Sequence, residues 1–228
     1  MTNSYPQNVS RRSVTAGTLW SAPAVAIAAA APAVAVSACV TYTGAFTQPS
    51  SYNPVPLSYT FRGSDGSTVT VSLSTASYGG KTLLSNNLTA AGNVNKGYNG
   101  MGDLATDGLQ LQQQGTGGQR LTFTFSQPVS NLSFVVADID NSGKQYRDSV
   151  TLSPAPTSVV NGSSLTGSGG TGDPLRATTT SPVNSDNKAN RSTVTMAGPL
   201  SSMTVDFSSS TGTVAQQMFI TGMTFEVC

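Results

Sequence analysis

From Cys39 onward the apolar positions recur at every second residue. Leu121-Thr122-Phe123-Thr124-Phe125 alternates apolar and hydroxylated side chains, as do Thr68-Val69-Thr70-Val71-Ser72-Leu73 and Met203-Thr204-Val205-Asp206-Phe207. That period places alternate side chains on opposite faces of an extended chain, as a half-buried strand requires. Leu132-Ser133-Phe134-Val135-Val136-Ala137 is more continuously apolar and reads as a central strand. Weaker strand signals cover 40–46, 57–61, 109–113, 149–152, 176–180, 193–196 and 218–227. No stretch of this region carries the period of an amphipathic helix. About ten or eleven short strands separated by Gly, Asn, Ser and Pro predict an all-β fold, an antiparallel β-sandwich of jelly-roll type.

Polar stretches punctuate the pattern. Residues 85–107 are rich in Asn and Gly, and 161–173 are almost wholly Gly, Ser and Thr, so both are expected to be loops. Ser126-Gln127-Pro128-Val129-Ser130-Asn131 separates two strong strand signals, and its proline suits a corner.

The first 38 residues follow a different pattern. Arg11-Arg12 carries the only charge, and 16–38 are Ala-rich, apolar and uncharged. Ala33-Val34-Ala35 and Val36-Ser37-Ala38 both offer the small residues that a signal peptidase accepts. The paired arginines and mild hydrophobicity resemble a bacterial twin-arginine export signal, of the kind common in high-GC Gram-positive bacteria. Pro23 and Pro32 interrupt the run, which argues against a permanent membrane span. Residues 1–38 are therefore read as a cleaved export segment and 39–228 as one domain that is secreted or held in the cell envelope.

The two cysteines, Cys39 and Cys228, stand at the proposed mature start and at the last residue. In an oxidising compartment they read as a disulfide clasping the two ends of the domain. Val36-Ser37-Ala38-Cys39 also resembles a lipobox, whose cysteine would be lipidated, and a lipidated Cys39 could not pair with Cys228. The disulfide is favoured because an odd cysteine in an exported protein is a liability.

Charge narrows the functional classes. The whole chain carries a net +1, and removing residues 1–38 leaves nine Lys/Arg against ten Asp/Glu, a net of −1. Neither value gives a field that would draw nucleic acid. Histidine is absent and Glu226 is the single glutamate, so His triads and His-ligated metals are ruled out. Any acid–base pair would have to be built from aspartates.

The most informative patch is Asp138-Ile139-Asp140-Asn141-Ser142-Gly143, followed by Asp148. Asp138, Asp140 and Ser142 alternate ahead of a glycine, which resembles the opening of a calcium loop. A hard cation takes several oxygen ligands, and glycine lets the backbone turn around it. The position that should be a bidentate glutamate is Ser149, so the loop is not an EF-hand, and Asp148 could substitute only in part. The rival reading is a hairpin turn in which Asp and Asn bond their own backbone and Gly143 supplies a positive φ. Asp138, Asp140, Ser142 and Asp148 are thus candidate calcium ligands, and calcium the candidate cofactor.

Around these residues the chain resembles a segment of many bacterial secreted surface proteins. The resemblance runs through Phe123-Thr124-Phe125-Ser126-Gln127-Pro128-Val129-Ser130-Asn131-Leu132-Ser133-Phe134, Asp138-Ile139-Asp140 and Asp148-Ser149-Val150. It implies a β-sandwich similar to carbohydrate-binding or adhesin modules, and with it a glycan or cell-wall component as partner. Such modules stack sugars on aromatic faces, yet the only tryptophan, Trp20, lies in the export segment. That leaves Tyr52, Tyr78, Tyr98 and Tyr146, with Asn95, Asn99 and Arg147 near them in sequence. Tyr98, Tyr146 and Arg147 are the candidate ligand-binding residues. Gln112-Gln113-Gln114 is explained equally by a ligand or by a polar sheet face. Asp103 and Asp107 form a formal carboxylate pair, but Asp107-Gly108 and Asp65-Gly66 both read as turns, and no nucleophile motif is present. The expectation is an exported, non-catalytic binding module. The alternatives are a structural envelope protein without a small ligand, lipid-anchored if Cys39 is modified, and an aspartate-dependent glycoside hydrolase.

Overall fold

The computed structural model of the chain describes residues 38–46, 57–91, 104, 108–183 and 186–228. Residues 1–37, Trp20 among them, lie outside the described residues, as do Tyr52, Asn95, Tyr98, Asn99, Asp103 and Asp107. Among the described residues there are fifteen strands and no α-helix. The first six are β1 (Val40–Gly44), β2 (Ser58–Gly63), β3 (Thr68–Tyr78), β4 (Thr82–Leu83), β5 (Thr89–Ala91) and β6 (Gly108–Gln114). Then come β7 (Gly117–Ala137), β8 (Tyr146–Ser153), β9 (Ser158–Asn161), β10 (Leu165–Thr166) and β11 (Leu175–Ala177). The last four are β12 (Arg191–Met196), β13 (Leu200–Gly212), β14 (Gln216–Ile220) and β15 (Met223–Val227). Every pairing between named strands is antiparallel.

The alternation in sequence becomes alternation in burial. Val69, Val71 and Leu73 of β3 are buried, as are Leu121, Phe123 and Phe125 of β7 and Met203, Val205 and Phe207 of β13. They meet in one apolar cluster that also takes residues from β1, β2, β12 and β15. Each such side chain contributes about 1.5–3 kcal/mol on leaving water, which makes this cluster the main stabilising element.

Strand β7 organises the rest. Its first half, through Phe125, pairs with β3 on one side and β13 on the other. Its second half pairs with β12, β15 and the end of β14. The change of partners falls at the corner expected from Pro128: Leu200 pairs with Val129, whereas Ser202 pairs with Thr124. A proline has no N–H to give a ladder, so the ladder breaks there and the strand continues. Two strands read from the sequence are therefore one continuous strand with a shift in its pairing register. The pairings β7–β15, β15–β1, β1–β2, β2–β3 and β3–β7 return to their starting point.

The two stretches expected to be loops hold short strands. Ala90 of β5 pairs with Leu109, and Leu165 of β10 pairs with Ala177. In the Gly/Ser-rich stretch the Asp173 carboxylate accepts from the Ser168 backbone N–H at 2.8 Å, which closes the turn between β10 and β11. Among the described residues no helix is long and apolar enough to cross a membrane.

Candidate functional site

The acidic patch begins where β7 ends. Asp138 takes a left-handed backbone with φ 65°, which Asp tolerates better than most residues, and Ile139 is buried in the core. The segment 141–146 is a tight turn. Asn141 Oδ1 accepts from the Gly143 N–H at 2.7 Å, and Ser142 Oγ accepts from the Tyr146 N–H at 3.0 Å. Gly143 supplies a φ of 78°. These are the bonds of the hairpin-turn reading, with Asn141 and Ser142 serving the backbone.

The three aspartates, by contrast, are buried: Asp138, Asp140 and Asp148 are each at most 4% exposed. Asp140 Oδ2 accepts from the Val183 N–H at 2.7 Å and from the Tyr146 hydroxyl at 3.3 Å. Asp138 Oδ2 accepts from Gln217 Nε2 at 3.1 Å. Oδ1 of Asp138 and Oδ1 of Asp148 are buried with no partner among the described residues. Burial, with the repulsion of Asp140 added to it, pushes the Asp138 carboxyl up to about 8. The same two causes hold Asp148 well above the usual range, and burial raises Asp140.

Ser142 is committed to its own turn. Among the described residues, the one group of three acidic or thiol side chains with ligand atoms within 4.8 Å of one another is Cys39, Glu226 and Cys228. Two of those sulfurs are bonded to each other and so are not thiolate ligands. Burial disfavours the charged form of all three carboxyls and is the largest cause of their upward shifts.

Tyr146 and Arg147 are neighbours on β8 and so point to opposite sides. Tyr146 joins Asp138, Asp140, Val183, Gln216 and Gln217 around a polar cavity of about 210 Å³. Its hydroxyl is pushed up by burial and by the charge of Asp140. Arg147 lines a groove of about 630 Å³ with Tyr78, Arg176 and Ser208–Ser210 of β13. The tyrosine and arginine expected to share a ligand are thus separated. Tyr98 lies outside the described residues. Tyr78 takes the aromatic position in the groove, 43% exposed. Its hydroxyl donates to Asp206 Oδ1, and Asp206 Oδ2 accepts from Arg120 Nε at 2.9 Å and Nη2 at 2.6 Å. Burial, then the Asp206 carboxylate, raises the Tyr78 hydroxyl to about 12, so it stays a donor.

Sequence reasoning missed a band of buried polar side chains beside the acidic patch. Gln110 and Gln113 of β6, Gln119 of β7 and Gln216 of β14 are all buried, and so is Lys81. The Lys81 ammonium donates to Gln216 Oε1 at 2.5 Å. The run Gln112-Gln113-Gln114 was the available signal, but Gln113 lies inside and only Gln114 is exposed.

Cys39 and Cys228 are bonded, with Cα atoms 4.1 Å apart. The bond extends the pairing of β1 with β15, in which Val40 faces Val227. No family model, curated protein or solved structure matches the chain.

Proposed function

We propose that this chain is an exported, non-catalytic binding module working at or outside a bacterial cell envelope, and that the Tyr78–Arg147 groove receives a glycan or cell-wall fragment. The fold is read as a jelly-roll β-sandwich, with β7 passing from one sheet to the other at Pro128 and the apolar cluster between them. The disulfide supports export, because such bonds persist in oxidising compartments. It also engages the sulfur that a lipid anchor on Cys39 would need.

The observation that carries the reading is the fixed aromatic face. Tyr78 is held at its hydroxyl by Asp206, which is held in turn by Arg120, so the ring meets a ligand already oriented. Less freedom is then lost on binding. A pyranose ring can lie on that face while Arg147 and the hydroxyls of Ser208 and Ser210 bond its oxygens. Among the described residues the Arg147 guanidinium makes one bond, from Nε to the Gly143 carbonyl at 3.1 Å, which leaves its terminal nitrogens available to a ligand. The cavity at Asp138 and Asp140 is smaller than the usual ligand site of about 300–1,000 Å³, which weighs against a glycan-cleaving centre there.

The test is binding to a panel of neutral and acidic glycans and peptidoglycan fragments. A ligand whose affinity drops about tenfold or more in both Tyr78→Ala and Arg147→Ala supports the reading. Failure of the whole panel, or a ligand indifferent to both changes, overturns it.

A further inference from the structure

The register of the sheet lays one row of residues across five strands. Tyr78 of β3 pairs with Gly118 of β7, and Gly118 pairs with Ser208 of β13. Ser208 pairs in turn with Ser149 of β8, and Ser149 with Arg176 of β11. Tyr78, Ser208, Ser149 and Arg176 all line the groove. Arg147 stands two residues before Ser149 on the same face of β8, and it lines the groove as well.

One end of the row is an aromatic platform. A Cβ on Gly118 would lie 2.5 Å from the Tyr78 hydroxyl oxygen and 2.7 Å from Cζ. The ring therefore rests across the backbone of β7, in the space that a side chain at 118 would fill. The other end is cationic. Arg176 Nη1 donates to Asp173 Oδ1 and to the Pro174 carbonyl, each at 3.1 Å, while Nε and Nη2 have no partner among the described residues. Nε and Nη2 are the two nitrogens through which Arg120 grips the Asp206 carboxylate. Arg147 spends Nε on Gly143, and its two terminal nitrogens are unpaired among the described residues. Each arginine thus offers one open edge of a planar guanidinium, which matches a carboxylate or phosphate with two parallel N–H bonds. The nearby carboxylates do not fill these edges. Asp206 is held by Tyr78 and Arg120, Asp173 reaches only Nη1 of Arg176, and Asp148 is buried on the opposite face of β8.

We propose that the ligand of this groove is an acidic oligosaccharide, stacked by one ring on Tyr78 and held by a carboxylate or phosphate between Arg147 and Arg176. This rests on the reading of the groove as a glycan site and adds the charge and length of the ligand. Neighbouring strands lie about 4.8 Å apart, so three steps separate Gly118 from Arg176 by about 14 Å. A single pyranose ring does not reach that far, so the anionic group sits on a later sugar than the stacked one. The serine hydroxyls of β13 and β8 lie between the two ends and meet the sugar oxygens of the rings that bridge them.

The test is calorimetric titration of the full chain with a uronic-acid tetrasaccharide, its carboxyl-reduced neutral counterpart, and a phosphate-bearing oligosaccharide of similar length. At least one acidic probe should bind about tenfold or more tighter than the neutral one, and added salt should erode that margin. Which acidic probe wins distinguishes a carboxylate from a phosphate as the anion. Arg147→Gln and Arg176→Gln should each remove about tenfold of the acidic probe's affinity and leave the neutral probe unchanged. Tyr78→Ala should weaken both kinds of probe. Arg62→Gln, an exposed cation of β2 outside the groove, should alter neither. Equal binding of acidic and neutral probes, weakened by Tyr78→Ala but indifferent to both arginine changes, overturns the proposal and leaves the glycan groove standing. A loss in Arg62→Gln equal to that in Arg176→Gln also overturns it, because a general field would then explain the preference. Binding of no probe at all overturns the glycan groove and the proposal with it.

Discussion

Around Phe225 the core is made of rings, while around Gln216 it is made of amides, carboxyls and an amine. Phe225 lies 5.4 Å from both Tyr42 and Phe61 and 5.7 Å from Phe125, centroid to centroid, and Phe46 adds Tyr59, Phe61 and Phe123. Those contacts need only shape, since dispersion and water exclusion have no direction. The polar band needs partners for every buried atom, and it does not find them all. Both side-chain polar atoms of Gln119 and Oε1 of Gln113 have none among the described residues, like the two aspartate oxygens. The comparison teaches that one half of the interior holds the fold together, while the other bears a cost that function or chemistry must explain.

The contrast can be broken at either end. Phe225→Ala should be the most damaging change, destabilising by about 3–5 kcal/mol in denaturant melts, because it empties the centre of the ring cluster. Reducing the Cys39–Cys228 disulfide frees a separation of 189 residues. The chain-entropy argument sets an upper figure of about 5 kcal/mol for it, and a lower melting temperature under reductant is the readout. An unchanged melt in either case would mean that the apolar half is not what holds the fold.

The polar half should respond to pH in the opposite sense to a salt-bridged carboxylate. The Asp138 pKa is raised from 3.8 to about 8, so the folded state binds more protons than the unfolded one between those values. Stability is then full below about pH 4 and falls as pH rises towards about 8. Asp148 and Asp140 act in the same direction. Thermal melts across that range test it, and Asp138→Asn should flatten the slope.

Gln119→Met should be neutral or stabilising by about 1 kcal/mol, because it removes two unpaired polar atoms from the interior. A clear loss of stability would show that this amide has partners among residues not described. The smallest effect is expected on the surface: Val160→Thr, at a residue 67% exposed, should stay within about 0.5 kcal/mol of wild type.

Particular elements show why one half was readable and the other was not. The alternation in 121–125, 68–73 and 203–207 could be read because burial on one sheet face repeats every second residue. Pro128 marked its corner because a missing N–H is a local fact. The separation of Tyr146 from Arg147 follows from the same period of two, but only once β8 is extended back to Tyr146, and the expected strand began at 149. The short strands β9 and β10 carry little pattern of their own; β9 exists because β12 lies beside it, and β10 because β11 does.

By itself, then, the sequence determined the all-β class, the antiparallel strands that carry its core and the break in the ladder near Pro128, and it favoured the pairing of its two cysteines. All of these rest on local periodicity, on proline chemistry or on a count of two. Only the tertiary structure decided that three aspartates would be buried, that Tyr78 would line the groove, and that Lys81 would meet Gln216. Those outcomes depend on which distant segments share a space and on how far water is excluded from it. Neither quantity belongs to any one stretch of the chain.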